Sequence, residues 1–331
     1  MAVEHSRRDF LKSGGILLAG AAMPSLATAS NAEARPQRQL RLRVGLFHDP
    51  AFPTVDCAAT DTAALRTALR SCDIIELSTP ERVRALVPSN IDVLLTMHGS
   101  AFPEEYGALL LGYLQAGGCW VNIGGTPLAV PARWNGGGWT LTPRRTAWHR
   151  HLRITQSMEL PCDEVAEWTG NPGFEGMDDI AASISPRVAR GMALRLSNSK
   201  HIANEDGSSG PRDARVTALV HGRHEDGTVL VAPVVMLDWL LGDYAGARWI
   251  WYTGDTAPGS DAVARLVEIA ASGAVELRAS STFATLAEGD IPEATIRIDR
   301  PRREGDAEVL VELLHDGRSE ERRVGKECRS R

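Results

Sequence analysis

DVLLTMHGSAFPEEYGALLLGYLQAGGCWVNIGGTPLAVP, Asp92 to Pro131, decides the fold of this 331-residue chain. From Ile91 the run is almost continuously apolar and reads as one strand through Pro103. Such a strand is expected where a sheet is covered on both faces. Glu104 and Glu105 then place negative charge at a helix start, and Gly117-Gly118 marks its end. Cys119 to Ile123 is a second strand, and it runs into a glycine turn, Gly124-Gly125-Thr126. A strand, a helix and a strand at this spacing make a right-handed crossover between parallel strands.

The same alternation extends outward. Upstream, LRLRVGLFHDP from Leu40 is a strand ending at His48-Asp49-Pro50. DTAALRTALRSC spaces Ala64, Leu65, Ala68 and Leu69 as a helix behind an Asp61 cap. DIIELSTP is a strand, and PERVRALVPSN is a short helix with proline in its first turn. Downstream, residues 132–215 hold four tryptophans, many glycines and a polar run, and read as an irregular insertion laid over the sheet. RVTALVHGRHEDGTVLVAPVVMLDWL is a hairpin turning at Glu225-Asp226-Gly227. ARWIWYTGD is a last strand. SDAVARLVEIAASG is a closing helix with Ser260 as cap and Gly273 as stop. Residues 40–278 are thus expected to form a mainly parallel α/β domain.

From residue 279 to residue 317 the period changes to two. The segment reads as about three strands, the truncated start of an Ig-like β-sandwich module. Thr295, Arg297 and Asp299 fall on one side, Ile296 and Ile298 on the other, with Val309, Val311 and Leu313 as the matching stripe. Residues 318–331, RSEERRVGKECRSR, are similar throughout to the translation of a common sequencing-library adapter, so the natural protein is expected to continue beyond Gly317.

The other end carries an address. Arg7-Arg8 precedes Phe10-Leu11-Lys12, a glycine-rich apolar stretch follows, and Ala27-Thr28-Ala29 resembles a cleavage site. Residues 1–29 read as a twin-arginine export signal, with a polar lead-in over residues 30–39. The apolar run is too short for a stable membrane anchor. The expected location is periplasmic or extracellular.

The whole chain has a net charge of −6. Residues 1–29 contribute +1 and residues 318–331 contribute +3, so the body between them carries −10. An acidic body argues against nucleic acid as a partner. Of five cysteines, Cys328 lies in the last segment, and Cys57, Cys72, Cys119 and Cys162 are widely spaced. They suggest buried free thiols, neither a zinc site nor a disulfide framework. His149 and His151 have no third ligand nearby in sequence, so neither a metal nor another cofactor is expected.

Asp92 to Pro131, together with GTVLVAPVVMLDWLLGDYAGARWIWYTGD, resembles the class I glutamine amidotransferase-like domain, which implies a flavodoxin-like, doubly wound, mainly parallel α/β fold over residues 40–278. The likeness is to versions appended to bacterial glycoside hydrolases and to ThuA-like sugar-utilisation proteins. In true amidotransferases the turn after this strand carries a cysteine, activated by a histidine and a glutamate farther on. Here the turn reads Gly124-Gly125-Thr126, Cys119 lies at the opposite end of the strand, and YTGDTAPG stands where the His-x-Glu pair would be. The resemblance therefore implies a noncatalytic amidotransferase-like domain of an exported carbohydrate-processing protein, not a glutaminase. Two alternatives stay open. One is a ThuA-like hydrolase or isomerase using His48, Asp49 and His98, and the other is a structural or oligomerisation domain. The candidate ligand-binding residues are His48, Asp49, His98 and Gly99 at strand ends, Gly124, Gly125 and Thr126 in the turn, Trp134 as a sugar platform, and Asp255 after the last strand. The expected ligand is a carbohydrate.

Overall fold

A computed structural model describes residues 41–84, 86–196, 212–274, 276–281, 294–299, 311–315 and 318–322. The segment expected to be an export signal, the lead-in, most of the polar run after residue 196, Val309 and Cys328 lie outside them. The chain divides into two units, Gln39–Val275 and the remainder.

In the first unit, chain order begins β1 (Arg43–Phe47), α1 (Thr62–Ala68), β2 (Asp73–Glu76), α2 (Pro80–Val83) and β3 (Val93–Thr96). Asp61 caps α1 through its side chain, which accepts from the Ala63 and Ala64 amides. Next come β4 (Ala101–Pro103), a 3₁₀ turn at Glu104–Tyr106, α3 (Gly107–Gln115) and β5 (Cys119–Ile123). The strand expected to run through Pro103 therefore stops at Thr96. Gly99 has φ +63 and turns the chain away, so β4 joins a separate small sheet.

Residues 132–215 are more regular than their composition suggests. They hold or overlap β6 (Val130–Trp134), β7 (Trp139–Leu141), β8 (Ile154–Pro161), β9 (Glu167–Gly170), α4 (Met177–Ser183) and β10 (Val188–Leu194). These strands find partners distant in sequence: β4 pairs with β6, β8 with β10, and β9 with β11 (Ala214–Arg223). β12 (Val229–Trp239), β13 (Arg248–Tyr252) and α5 (Ser260–Ala271) complete the unit. The β11–β12 hairpin turns at the expected place, with Gly227 at φ +84. Ser260 is the first residue of α5, not its cap; Gly259 holds the cap position.

The central sheet has eight strands in the order β2-β1-β3-β5-β13-β12-β11-β9. The first five are parallel, and their order is that of flavodoxin-like sheets. The last three are antiparallel additions. Both faces are covered. Leu65 of α1, its C-cap Leu69, Ile180 of α4 and Leu266 of α5 bury one face against Leu46, Val93 and Val121. Leu110, Tyr113 and Leu114 of α3 and its flank cover the other, where Trp120, Trp249 and Trp251 pack edge to face and stacked. Among the described residues, no helix is long and apolar enough to cross a membrane.

In the second unit, β14 (Glu276–Ser281) pairs with β15 (Ala294–Asp299), and β16 (Val311–His315) pairs with β17 (Arg318–Arg322). These are two separate two-stranded ladders, where a three-stranded opening of an Ig-like sandwich was expected. Part of the charged last segment thus forms a strand.

Candidate functional site

Strand order reverses between β1 and β3, and in open α/β sheets ligands gather in the crevice outside the carboxyl ends at such a point. His48 and Asp49 follow β1, and His98, Gly99 and Ser100 follow β3 soon after its end. The glycine turn follows β5, and Thr253 to Thr256 follow β13. The segment from Asp49 to Ala58 runs across these ends and is tied down by backbone bonds. Val55 N–H donates to His98 O at 3.2 Å, Ser100 N–H to Val55 O at 2.9 Å, and Ala58 N–H to Asp255 O at 2.8 Å.

The two histidines stack, with ring centroids 6.1 Å apart. Each is held by a threonine hydroxyl: His48 Nε2 lies 2.8 Å from Thr62 Oγ1, and His98 Nδ1 lies 3.1 Å from Thr54 Oγ1. Phe47 and Phe52 pack edge-on against the His98 ring. His98 is 6% exposed, and among the described residues its Nε2 has no hydrogen-bond partner. Burial pushes its pKa down to about 4, and the neighbouring His48 adds to the fall. His98 is therefore a neutral imidazole over the whole physiological range.

The glycine turn is closed. Gly124, Gly125 and Thr126 are buried, with Gly124 at φ +89 and Gly125 at φ +61. Gly124 N–H donates to Tyr252 O at 2.7 Å and Thr126 N–H to Ser100 Oγ at 2.8 Å. These amides, candidates for holding a polar ligand, are bonded within the protein. A side chain at Gly124 would begin 2.5 Å from Cys57 Sγ, so the sulfur of Cys57 fills the space above the turn. Burial, with Asp255 and Asp56 nearby, drives that thiol up to about 12, which leaves it protonated and poorly nucleophilic. The Thr126 hydroxyl is buried and lies 2.6 Å from Ser157 Oγ.

Beside Cys57, Asp56 is held in a left-handed conformation, φ +61. Arg190 Nη2 donates to Asp56 Oδ1 at 2.8 Å, while Ser100 Oγ and Arg144 Nη2 donate to Oδ2. Burial alone would raise the Asp56 carboxyl, but the Arg144 and Ser100 hydrogen bonds and the two guanidinium charges outweigh it and hold the carboxyl below its usual range.

Trp134 is 52% exposed and packs edge-on against Trp139, centroids 5.6 Å apart. Trp139 in turn meets Phe52 at 4.8 Å and donates through Nε1 to Asp49 Oδ2 at 2.8 Å. An aromatic ramp therefore descends from the surface to the carboxyl end of β1. Asp255 faces elsewhere: its carboxylate accepts from the Arg187 and Val188 amides and anchors the start of β10. Gly99 has the Val55 carbonyl where a Cβ would lie, which makes it a point of backbone crossing. Trp148 packs on Phe102, and His149 is buried with Nε2 unpartnered among the described residues. No group of three His, Cys, Asp or Glu suited to a metal occurs among the described residues. A cavity under α3 touches Phe47, Phe102, Trp120, Thr96 and Asn122. Its polar groups satisfy one another: Trp120 Nε1 donates to Thr96 Oγ1, and Thr96 Oγ1 to Asn122 Oδ1.

His48, Asp49 and His98 thus come together, Trp134 joins them through Trp139, and the glycines and Asp255 serve the scaffold. Sequence reasoning missed Thr54, Asp56, Cys57, Ser100, Arg144 and Arg190. Only their pairing across the fold marks them, since Arg190 and Asp56 are 134 residues apart. No family model matches the chain, and no curated protein matches it. Among solved structures it is similar to a protein of Bacteroides uniformis described as ThuA-like, at 10% identity and a TM-score of 0.33, over 72% of this chain and 93% of that one. It is also similar to a cytoplasmic protein of Salmonella typhimurium, at 10% identity and a TM-score of 0.34, over 69% of this chain and 98% of that one.

Proposed function

We propose that the α/β unit is a noncatalytic, amidotransferase-like carbohydrate-recognition domain of an exported carbohydrate-processing protein. The observation that carries this reading is the aromatic ramp. Trp134 offers a flat apolar face to solvent, and its neighbour Trp139 is oriented by Asp49. Flat sugar faces pack on such platforms. Asp49 Oδ1 accepts only the local Ala51 amide among the described bonds, so the carboxylate keeps lone pairs for a ligand hydroxyl. The absence of acyl-transfer chemistry at the turn is part of the same reading: Cys57 occupies the space of a turn nucleophile, and its thiol is protonated.

The test is a calorimetric titration of a soluble glycan panel into the intact chain. Saturable binding that falls at least about tenfold in Trp134→Ala, with the fold retained, supports the reading; tenfold is about 1.4 kcal/mol, the scale of apolar area lost when an aromatic face is removed. Turnover of any panel member that survives in Trp134→Ala but is lost in His98→Gln favours the hydrolase or isomerase alternative instead. Covalent capture of Cys57 by a glutamine-analogue electrophile, faster than in the unfolded chain, sinks the noncatalytic reading.

A further inference from the structure

We propose that Arg144, Arg190 and Ser100 form a binding site for the carboxylate of a small anionic ligand, which Asp56 occupies in this structure as an intramolecular substitute. The proposal stands apart from the sugar platform at Trp134, because it concerns the other end of the crossing segment.

Four observations carry it. First, the contacts are those of carboxylate recognition: each Asp56 oxygen receives an arginine, and one also receives a hydroxyl. The Ser100 hydroxyl accepts from Thr126 N–H, which leaves its own proton for the carboxylate. Second, Arg190 and Ser100 do not depend on Asp56 for their placement. Arg190 Nη1 also pairs with Glu159 at 2.8 Å, and its strand is stapled to the β13 end by Arg190 N–H to Thr253 O at 3.0 Å. Ser100 is completely buried and fixed by the turn. Third, Asp56 is delivered in an uncommon left-handed conformation, whereas Arg190 sits on β10 and Ser100 is bonded to the glycine turn; Arg144 lies in the connection between β7 and β8. Aspartate tolerates that conformation better than most residues, but it remains sparsely populated. Fourth, the cradle lies at the carboxyl ends of the parallel strands, where this sheet architecture collects ligands. Gly125 permits the close approach: a Cβ there would lie 2.3 Å from Ser100 Oγ and 3.0 Å from Asp56 Cβ. The Arg144 side chain is 41% exposed, so the site opens to solvent on one side.

A ligand that competes with a tethered carboxylate binds with an apparent affinity reduced by the fraction of molecules in which the tether has lifted. Removing the Asp56 carboxylate removes that competition. The experiment titrates sodium acetate into the full chain at constant ionic strength, with sodium chloride as the reference, and follows melting temperature and binding by NMR. Asp56→Gly and Asp56→Asn are compared with the native chain and with Asp56→Gly/Arg190→Gln. The expected result is acetate binding at least about tenfold tighter in both single variants than in the native chain, and lost in the double variant. If neither folded single variant distinguishes acetate from chloride, the proposal is overturned. If Asp56→Gly folds only with acetate present, the anion has replaced the missing carboxylate and the proposal holds; if acetate does not restore its fold while Asp56→Asn folds without acetate preference, it fails. Acetate carries no ring, so failure here leaves the sugar-platform test untouched.

Discussion

Two aspartates in the α/β unit, one buried and one half-buried, meet pairs of arginines: Asp238 and Asp56. Asp238 lies inside β12, completely buried, and both partners stand directly opposite it in the ladder: Arg215 on β11 and Arg248 on β13. Arg248 Nε donates to its Oδ1 at 2.6 Å and Arg215 Nη2 to its Oδ2 at 2.7 Å. Strand register alone creates this triad, and no backbone strain accompanies it. Asp56 reaches Arg144 and Arg190 from a connecting segment, at φ +61, and Arg190 has a further contact with Glu159. The same chemistry therefore does different work. The Asp238 triad is scaffold, because Asp238 and Arg248 are buried inside paired strands, and only the Arg215 side chain, 53% exposed, reaches solvent. In the Asp56 cradle, Ser100 and Arg190 keep contacts of their own when the carboxylate is removed.

The comparison is sharpest when each aspartate is removed. Asp238→Asn leaves Arg248, itself 8% exposed, without its buried counter-charge. The expected loss is about 3–5 kcal/mol in chemical denaturation, the range for breaking a buried pair. Acetate should not restore it. A loss below about 1 kcal/mol would contradict the scaffold role.

A second effect separates the crevice from the core by pH. His98 titrates near 4 when folded and near 6.5 when unfolded. Between those values the unfolded chain binds more protons, so stability falls as pH falls from about 6.5 to about 4 and then stops falling on this account. The full cost is about 3 kcal/mol, at about 1.4 kcal/mol for each pH unit of displacement. Stability measured against pH in the native chain and in His98→Gln should differ in slope over that window. Parallel curves would show that His98 is hydrated and unshifted.

The smallest effect is that of Asp56→Gly on stability, expected at about 1–2 kcal/mol, well below that of Asp238→Asn. Arg144 can return to water, Arg190 keeps Glu159, and glycine relieves the left-handed backbone. The contribution of the native carboxylate is present above the unfolded aspartate pKa of about 3.9 and disappears as pH falls below it, since the folded value is depressed. Equal losses for the two aspartate variants would erase the distinction drawn here.

Local sequence determined the parallel half of the sheet. Alternating apolar runs and capped helices need only their own residues to be recognised, and Asp61, Gly227 and Gly273 act where their chemistry predicts. The crevice was legible as an address: His48, Asp49 and His98 end adjacent parallel strands, and topology brings such ends together. Its content was not legible. Whether the glycine turn faces a ligand or the protein depends on the segment from Asp49 to Ala58, which carries no periodicity of its own. Residues 132–215 looked irregular because their strands are short and pair with distant partners, so no local repeat reveals them. The filling of the turn by Cys57 and the convergence of Arg144 and Arg190 on Asp56 were decided by tertiary structure alone. Contacts between residues so far apart in the chain depend on where the sheet places them, and that placement leaves no trace in any short window of sequence.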